Sequence, residues 1–94
     1  MHISALTLEL RLPGCHDLKS KRRILKPLLA GLHRQYNVSA AEIGAHDEHQ
    51  FSAISCVMVS TDRAHIERVF EKIPDWVEGR FPQLQIIDQH FMNL

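Results

Sequence analysis

The sequence predicts an α+β sandwich of order β-α-β-β-α-β. Three observations carry this. Apolar residues alternate with polar ones near both ends of the chain, over Ile3–Leu12 and Leu84–Met92. Two longer segments, Leu18–Tyr36 and Asp62–Phe81, place their apolar residues at helical spacing. Between them lie two short runs rich in small and β-branched residues, Val38–Gly44 and Phe51–Val59, split by the polar stretch Ala45–Gln50. Two right-handed crossovers on one four-stranded antiparallel sheet then give the ferredoxin-like split βαβ arrangement, with both helices on one face. Ninety-four residues suit a single domain, 1–94.

The first strand is the clearest element. Leu6, Leu8, Leu10 and Leu12 share one face, Thr7, Glu9 and Arg11 the other, and Pro13-Gly14 ends the run. In the first helix Leu18, Ile24, Leu25, Leu28, Leu29, Leu32 and Tyr36 form one stripe, with Asp17 as N-cap. Pro27 projects away from that stripe, so the carbonyl of Arg23 that it leaves unpaired faces water and the helix continues. The two middle strands form a hairpin across Ala45–Gln50. Cys56-Val57-Met58-Val59 is apolar on both faces, as in a central strand. The second helix carries Ile66, Val69, Phe70, Ile73, Trp76, Val77 and Phe81 inward, is capped by Ser60, Thr61 or Asp62, and is expected to break near residue 73, because of Pro74, and restart. Trp76 and Tyr36 fall on the apolar stripes and read as core. In the last strand Leu84, Ile86 and Met92 oppose Ile87 and Phe91. Ile3, Ile87 and Phe91, or their partners, are therefore expected on the sheet face that no helix covers, a surface suited to a homodimer or another partner.

A hydrophobic fraction of 45% and a charged fraction of 23% are those of a globular chain and too apolar for disorder. Met1–Leu12 is interrupted by Glu9 and Arg11 and lacks a basic leader, and no apolar run approaches the roughly 18 residues of a membrane span. Cys15 and Cys56 form no CxxC and no disulfide framework, so both read as free thiols of a cytoplasmic protein without membrane contact. Seven histidines make the charge sensitive to pH below about 6.5.

The net charge of zero hides an asymmetry. Leu18–Ala41 holds six basic residues and no acid, whereas Glu42–Leu94 holds nine acids and four bases. Lys19, Arg22, Arg23, Lys26, His33 and Arg34 fall within an arc of about 120° opposite the leucines. Such a stripe is often only a solvated face. Here Lys19, Lys21, Arg22 and Arg23 crowd the first two turns, where the helix dipole opposes positive charge by about 0.3–1 kcal/mol per group. A bound anion offsets that cost, and free amides after Pro13-Gly14-Cys15-His16 are further donors for a phosphate.

Other polar groupings carry less. His46-Asp47-Glu48-His49 supplies donors for a divalent metal, but a hairpin tip without further ligands nearby in sequence reads as an ordinary loop. Cys15-His16 lacks the geometry of an activated thiol, since neighbouring side chains of extended chain point apart. The MxCxxC of copper chaperones, the GxVQGVxxR of acylphosphatases, the P-loop and GxGxxG are absent, and Gln50–Val57 has only Phe51 as an aromatic, too few for an RRM stacking platform. No catalytic constellation and no cofactor motif is found.

The run Leu12-Pro13-Gly14-Cys15-His16-Asp17-Leu18-Lys19-Ser20-Lys21-Arg22-Arg23 resembles the LPGxxSLKxKR opening of the bacterial YlxP-like family, a domain of unknown function (DUF503). Asn37–Gly44 is similar to that family's NVSVAEV strand, and Val59-Ser60-Thr61-Asp62 to its VSxD entry into the second helix. The resemblance spans almost the whole chain. It implies a small cytoplasmic bacterial protein of ferredoxin-like fold, with no established activity. The family's genes often lie beside those of translation initiation and ribosome maturation, which implies an RNA or ribosomal context. The hairpin departs from the family's D-x-W-Q-R run: Asp47 and Gln50 fit, but His49 and Phe51 stand where Trp and Arg are usual. The sequence thus leads to a non-enzymatic RNA- or ribosome-associated accessory factor, with Lys19, Lys21, Arg22, Arg23 and Lys26 on phosphate. The contrasting expectation is a dimeric module that works through its open sheet face.

Overall fold

Period-2 leucines at one end of the chain and helical stripes in each half produce the predicted order of elements. The computed structural model describes residues Met1–Leu94, with strand β1 (His2–Arg11), helix α1 (Leu18–Tyr36), strands β2 (Ser39–Gly44) and β3 (Phe51–Ser60), helix α2 (Arg63–Arg80) and strand β4 (Gln85–Asn93). The strands form one antiparallel sheet in the order β2-β3-β1-β4. This is the ferredoxin-like βαββαβ sandwich, with both helices packed on one face.

The core lies between sheet and helices. Leu6, Leu8 and Leu10 of β1, Leu12 just after it, and Ile54, Cys56 and Met58 of β3 meet Leu25, Leu28 and Leu32 of α1 and Ile66, Phe70, Ile73 and Val77 of α2. Each helix is capped by an aspartate: Asp17 accepts from the amide of Ser20, and Asp62 from those of Ala64 and His65. α1 ends on Asn37 in the left-handed conformation (φ 52°). The helices approach closely at Gly31, where a β-carbon would stand 2.8 Å from the Trp76 ring. Trp76 and Tyr36 meet edge to face there, centroids 5.7 Å apart, half-buried along the seam between the helices.

Two expectations are corrected. α2 runs unbroken through Pro74. The proline removes one donor to the Phe70 carbonyl, but Phe70, Ile73 and Val77 are buried on both sides of it and hold the helix to the sheet. β4 does not keep a single phase either. Its pairing with β1 slips between Glu9 and Leu10, so Ile87 is an extra residue. Ile86 faces the helices opposite Leu10, yet beyond the slip Phe91 also faces them, opposite Leu6 and 5.8 Å from the Phe70 ring. Met92, paired with Ala5, takes the open face instead.

Candidate functional site

Leu18 and the residues after it begin α1 at the end of the molecule where the β2–β3 hairpin turns. Lys19, Arg22, Arg23 and Lys26 stand exposed along the outer flank of the helix, with His33 and Arg34 exposed toward its end. None of the four leading cations lies within salt-bridge distance of a carboxylate, since the ion pairs of the chain are Lys21–Glu42, Arg68–Asp62 and those of His90.

Lys21, from the same motif, has a different fate, and its expected contact with phosphate is corrected. It is 1% exposed, on the inner side of α1. Its ammonium donates to the carbonyls of Ala45 (2.7 Å), Glu48 (2.7 Å) and Phe51 (2.9 Å) and lies 3.0 Å from Glu42 Oε2. Its three N–H donors are shared among three carbonyls and the Glu42 carboxylate, so none remains for a ligand. Ser52 completes the network by donating to Glu42 (2.6 Å). Burial by itself raises the Glu42 carboxyl, but the Ser52 and Lys21 hydrogen bonds and the charges of Lys21 and His46 outweigh it and hold the group below its ordinary 4.5. The wheel of α1 already sets Lys21 apart from the exposed arc. The carbonyls that receive it are arranged only by the folded hairpin, in which Ala45 adopts positive φ (58°).

The hairpin so held forms an open polar cleft of about 330 Å³ against the β1–α1 loop, lined by Cys15, His16, Asp47, Glu48 and His49. Its character is mixed. Two carboxylates enter it, and the amide of Ser20 is taken by Asp17 (2.7 Å). The Ser20 bond first, then the charges of His49 and Arg23, lower the Asp17 carboxyl below its usual range, although slight burial opposes them. The anion at the start of α1 is therefore the protein's own, and the outer flank rather than the helix end offers free positive charge. Burial first, then the Asp17 charge, push the Cys15 thiol up against the opposing charge of Lys21, the reverse of an activated nucleophile. Cys56 is pushed up to about 12 by burial. His46 and His49 meet no further donors of metal-site geometry. The grouping of three that does form is Glu9, Asp88 and His90 on the open sheet face.

No helix of the chain is long and apolar enough to cross a membrane. Among solved structures, the fold is similar to a protein named YJCS from structural genomics (TM-score 0.63, 11% identity, 98% of each chain). It is also similar to SnoaB, a cofactor-independent oxygenase from Streptomyces nogalater (0.55, 10%, 100% of this chain and 92% of that one). A de novo designed protein with ferredoxin fold, LFR1 1, matches at TM-score 0.51 and 12% identity over 100% of this chain and 84% of the design. At these identities the likeness concerns the fold alone. By sequence the chain is 31% identical, over 69 residues, to the uncharacterized protein YlxP of Bacillus subtilis (strain 168), covering 73% of this chain and 74% of the relative. The model of the family described as Protein of unknown function (DUF503) matches residues 3–91. The Leu12–Arg23 run, the hairpin it anchors and the match along nearly all of the chain agree, and the protein belongs to the YlxP-like DUF503 family.

Proposed function

We propose that the protein is an RNA- or ribosome-associated accessory factor that binds phosphate through the outer flank of α1. The observation that carries this reading is the set Lys19, Arg22, Arg23 and Lys26: four exposed cations on one helix flank, none paired with a carboxylate. Surface cations are usually interspersed with acids that neutralise them. A run left unpaired near a helix N-terminus repels itself and the helix dipole, and a polyanion relieves both. Lys21 takes no part in contact; by fixing the hairpin to α1 it shapes the end of the surface. Self-association through the open sheet face has less to support it. Its apolar residues Ile3, Val57, Val59 and Met92 lie at one end, and the middle of the face, with Thr7, Glu9, Ala41, Ala53 and Ser55, offers little apolar area to bury.

The test is a titration of a labelled structured ribosomal RNA fragment at pH 7.5 and two salt concentrations. Wild type is compared with a variant carrying K19E, R22E, R23E and K26E. Wild-type binding should weaken steeply with salt, and the variant should lose at least tenfold in affinity and much of the salt slope while melting at a similar temperature. Equal affinity of the two folded proteins, or no binding by wild type, overturns the proposal.

A further inference from the structure

We infer that β4 is the docking edge for a second copy of this chain, the two β4 strands pairing antiparallel about a two-fold axis through Gln89. β4 has a strand on one side only, and every residue of it except Ile86 is exposed. Long uncovered edges invite pairing, and chains that stay single blunt them with brevity, bulges, lysine or proline. The opposite edge, β2, has six residues and is bulged at Ile43. β4 has nine residues, no lysine and no proline, its bulge at Ile87 leaves Asp88–Asn93 in regular register, and it exposes Ile87 (54%), Phe91 (47%) and Met92 (58%).

The backbone is set for this pairing. Leu94 donates its amide to Ile3 of β1 (2.8 Å), and in an antiparallel ladder alternate residues turn inward. Gln89, Phe91 and Asn93 therefore turn their N–H and C=O groups away from β1. The outward amide of Gln89 has only the carboxylate of its neighbour Asp88 as acceptor (2.9 Å). With Gln89 opposite its own copy, the two exchange N–H···O bonds.

The side chains in that register complement one another. Asp88 of each chain lies opposite His90 of the other, twice across the axis and on the open face, where each His90 already lies 3.3 Å from its own Asp88 and 3.5 Å from Glu9. On the helix side, Phe91 lies opposite the Ile86–Ile87 bulge of the second copy. Phe91 also lines an open groove of about 360 Å³ with Leu6, Phe70, Glu67 and Glu71, and the second copy's Ile87 comes to its mouth. Other registers are poorer: a two-fold through His90 sets the histidines against each other, and one through Phe91 leaves Asp88 beyond the paired strand. The pairing is isologous, extends the sheet without a break and keeps the helices of both copies on one side.

The experiment is analytical ultracentrifugation of the full chain at 5–200 μM (concentrations on the order of those that separate weak from stable homodimers), with far-UV circular dichroism of each variant. Wild type should sediment at twice 10.8 kDa. Gln89→Pro removes an amide that β1 does not use, so it should yield folded monomer. His90→Asp sets like charges opposite each other and should weaken the dimer at least tenfold, and the swap D88H/H90D should restore it by re-forming both pairs in the same register. The swap keeps the test open if the proline variant fails to fold. A wild type that is monomeric throughout, a dimer that survives in folded Gln89→Pro, or a swap no better than His90→Asp each overturns the proposal. Dissociation by Ser55→Arg on the open face, with the β4 variants still dimeric, assigns association to that face instead.

Discussion

The two βαβ halves put the same framework to different uses, and the contrast is sharpest at the start of each helix. α1 follows its cap Asp17 and α2 its cap Asp62, and the fourth residue of each helix is buried: Lys21 at 1% exposure, Ile66 at 0%. Ile66 packs into the core cluster between helices and sheet. Lys21 instead reaches the β2–β3 hairpin and donates to the carbonyls of Ala45, Glu48 and Phe51, the first of which also accepts from the Glu48 amide. A buried position does not dictate an apolar residue; it dictates whatever its surroundings leave unsatisfied. The halves differ on the outside too. α1 carries no acid, whereas α2 mixes Glu67, Glu71, Asp75 and Glu78 with Arg63, Arg68, Lys72 and Arg80, and Arg68 leans toward Asp62 (3.8 Å).

Replacing the two buried residues should break this contrast with the largest effects. Lys21→Met leaves Glu42 without its counterion and removes the ammonium donor from the carbonyls of Ala45, Glu48 and Phe51, and it should cost about 3 kcal/mol, the lower end for a broken buried pair because Glu42 keeps some contact with water. Ile66→Ala should cost about 2–5 kcal/mol by cavity formation. Urea melts measure both. Hydrogen exchange separates them: amides of residues 45–51 should lose protection in Lys21→Met and keep it in Ile66→Ala, and equal protection in the two variants would refute the role given to Lys21.

The helical glycines sharpen the comparison at intermediate size. A β-carbon on Gly31 meets the Trp76 ring at 2.8 Å, so Gly31→Ala should destabilise by about 1–3 kcal/mol through overpacking at the helix seam. At Gly79 nothing lies within 4 Å, and Gly79→Ala should stabilise by about 0.5–1 kcal/mol through helix propensity and a less free unfolded chain. Opposite shifts in thermal midpoint are the expected result.

The smallest effect is a dependence on acid. The Glu42 carboxyl is held below its ordinary 4.5 in the fold, so the stability it confers is complete above that value and is lost as pH falls through the lowered one. Glu42→Gln should be less stable than wild type at pH 7 and should close part of the gap as the pH is lowered toward 3. A constant difference in urea midpoint between pH 7 and pH 3 would speak against this linkage.

Much of the fold was legible in the chain because short-range patterns decide it. Leu6, Leu8, Leu10 and Leu12 alternate along and just past β1, the α1 stripe ends where Asn37 follows, and Asp17 announces the cap. α1 spans Leu18–Tyr36 as its periodicity predicts. The exposed part of the candidate site was legible for the same reason, since Lys19, Arg22, Arg23 and Lys26 share a helix flank whatever packs beneath it.

The features misread all depend on neighbours distant in sequence. Proline at position 74 breaks an isolated helix, but side chains buried on both sides of it hold α2 together. Strict alternation sends Phe91 to the open face; one slipped residue at Ile87 resets the phase, and Phe70 receives the ring. Lys21 belongs by composition to a basic cluster and by position to the interior, and only the hairpin carbonyls, 24 to 30 residues away, decide that it stays there. The sequence by itself determined the elements, their order and the charge of the α1 flank, because periodicity and capping act within a few turns of chain. Tertiary structure alone decided which cations stay free, which face an aromatic takes and which edge of the sheet is left open, because those outcomes depend on hydrogen bonds and packing across the sheet.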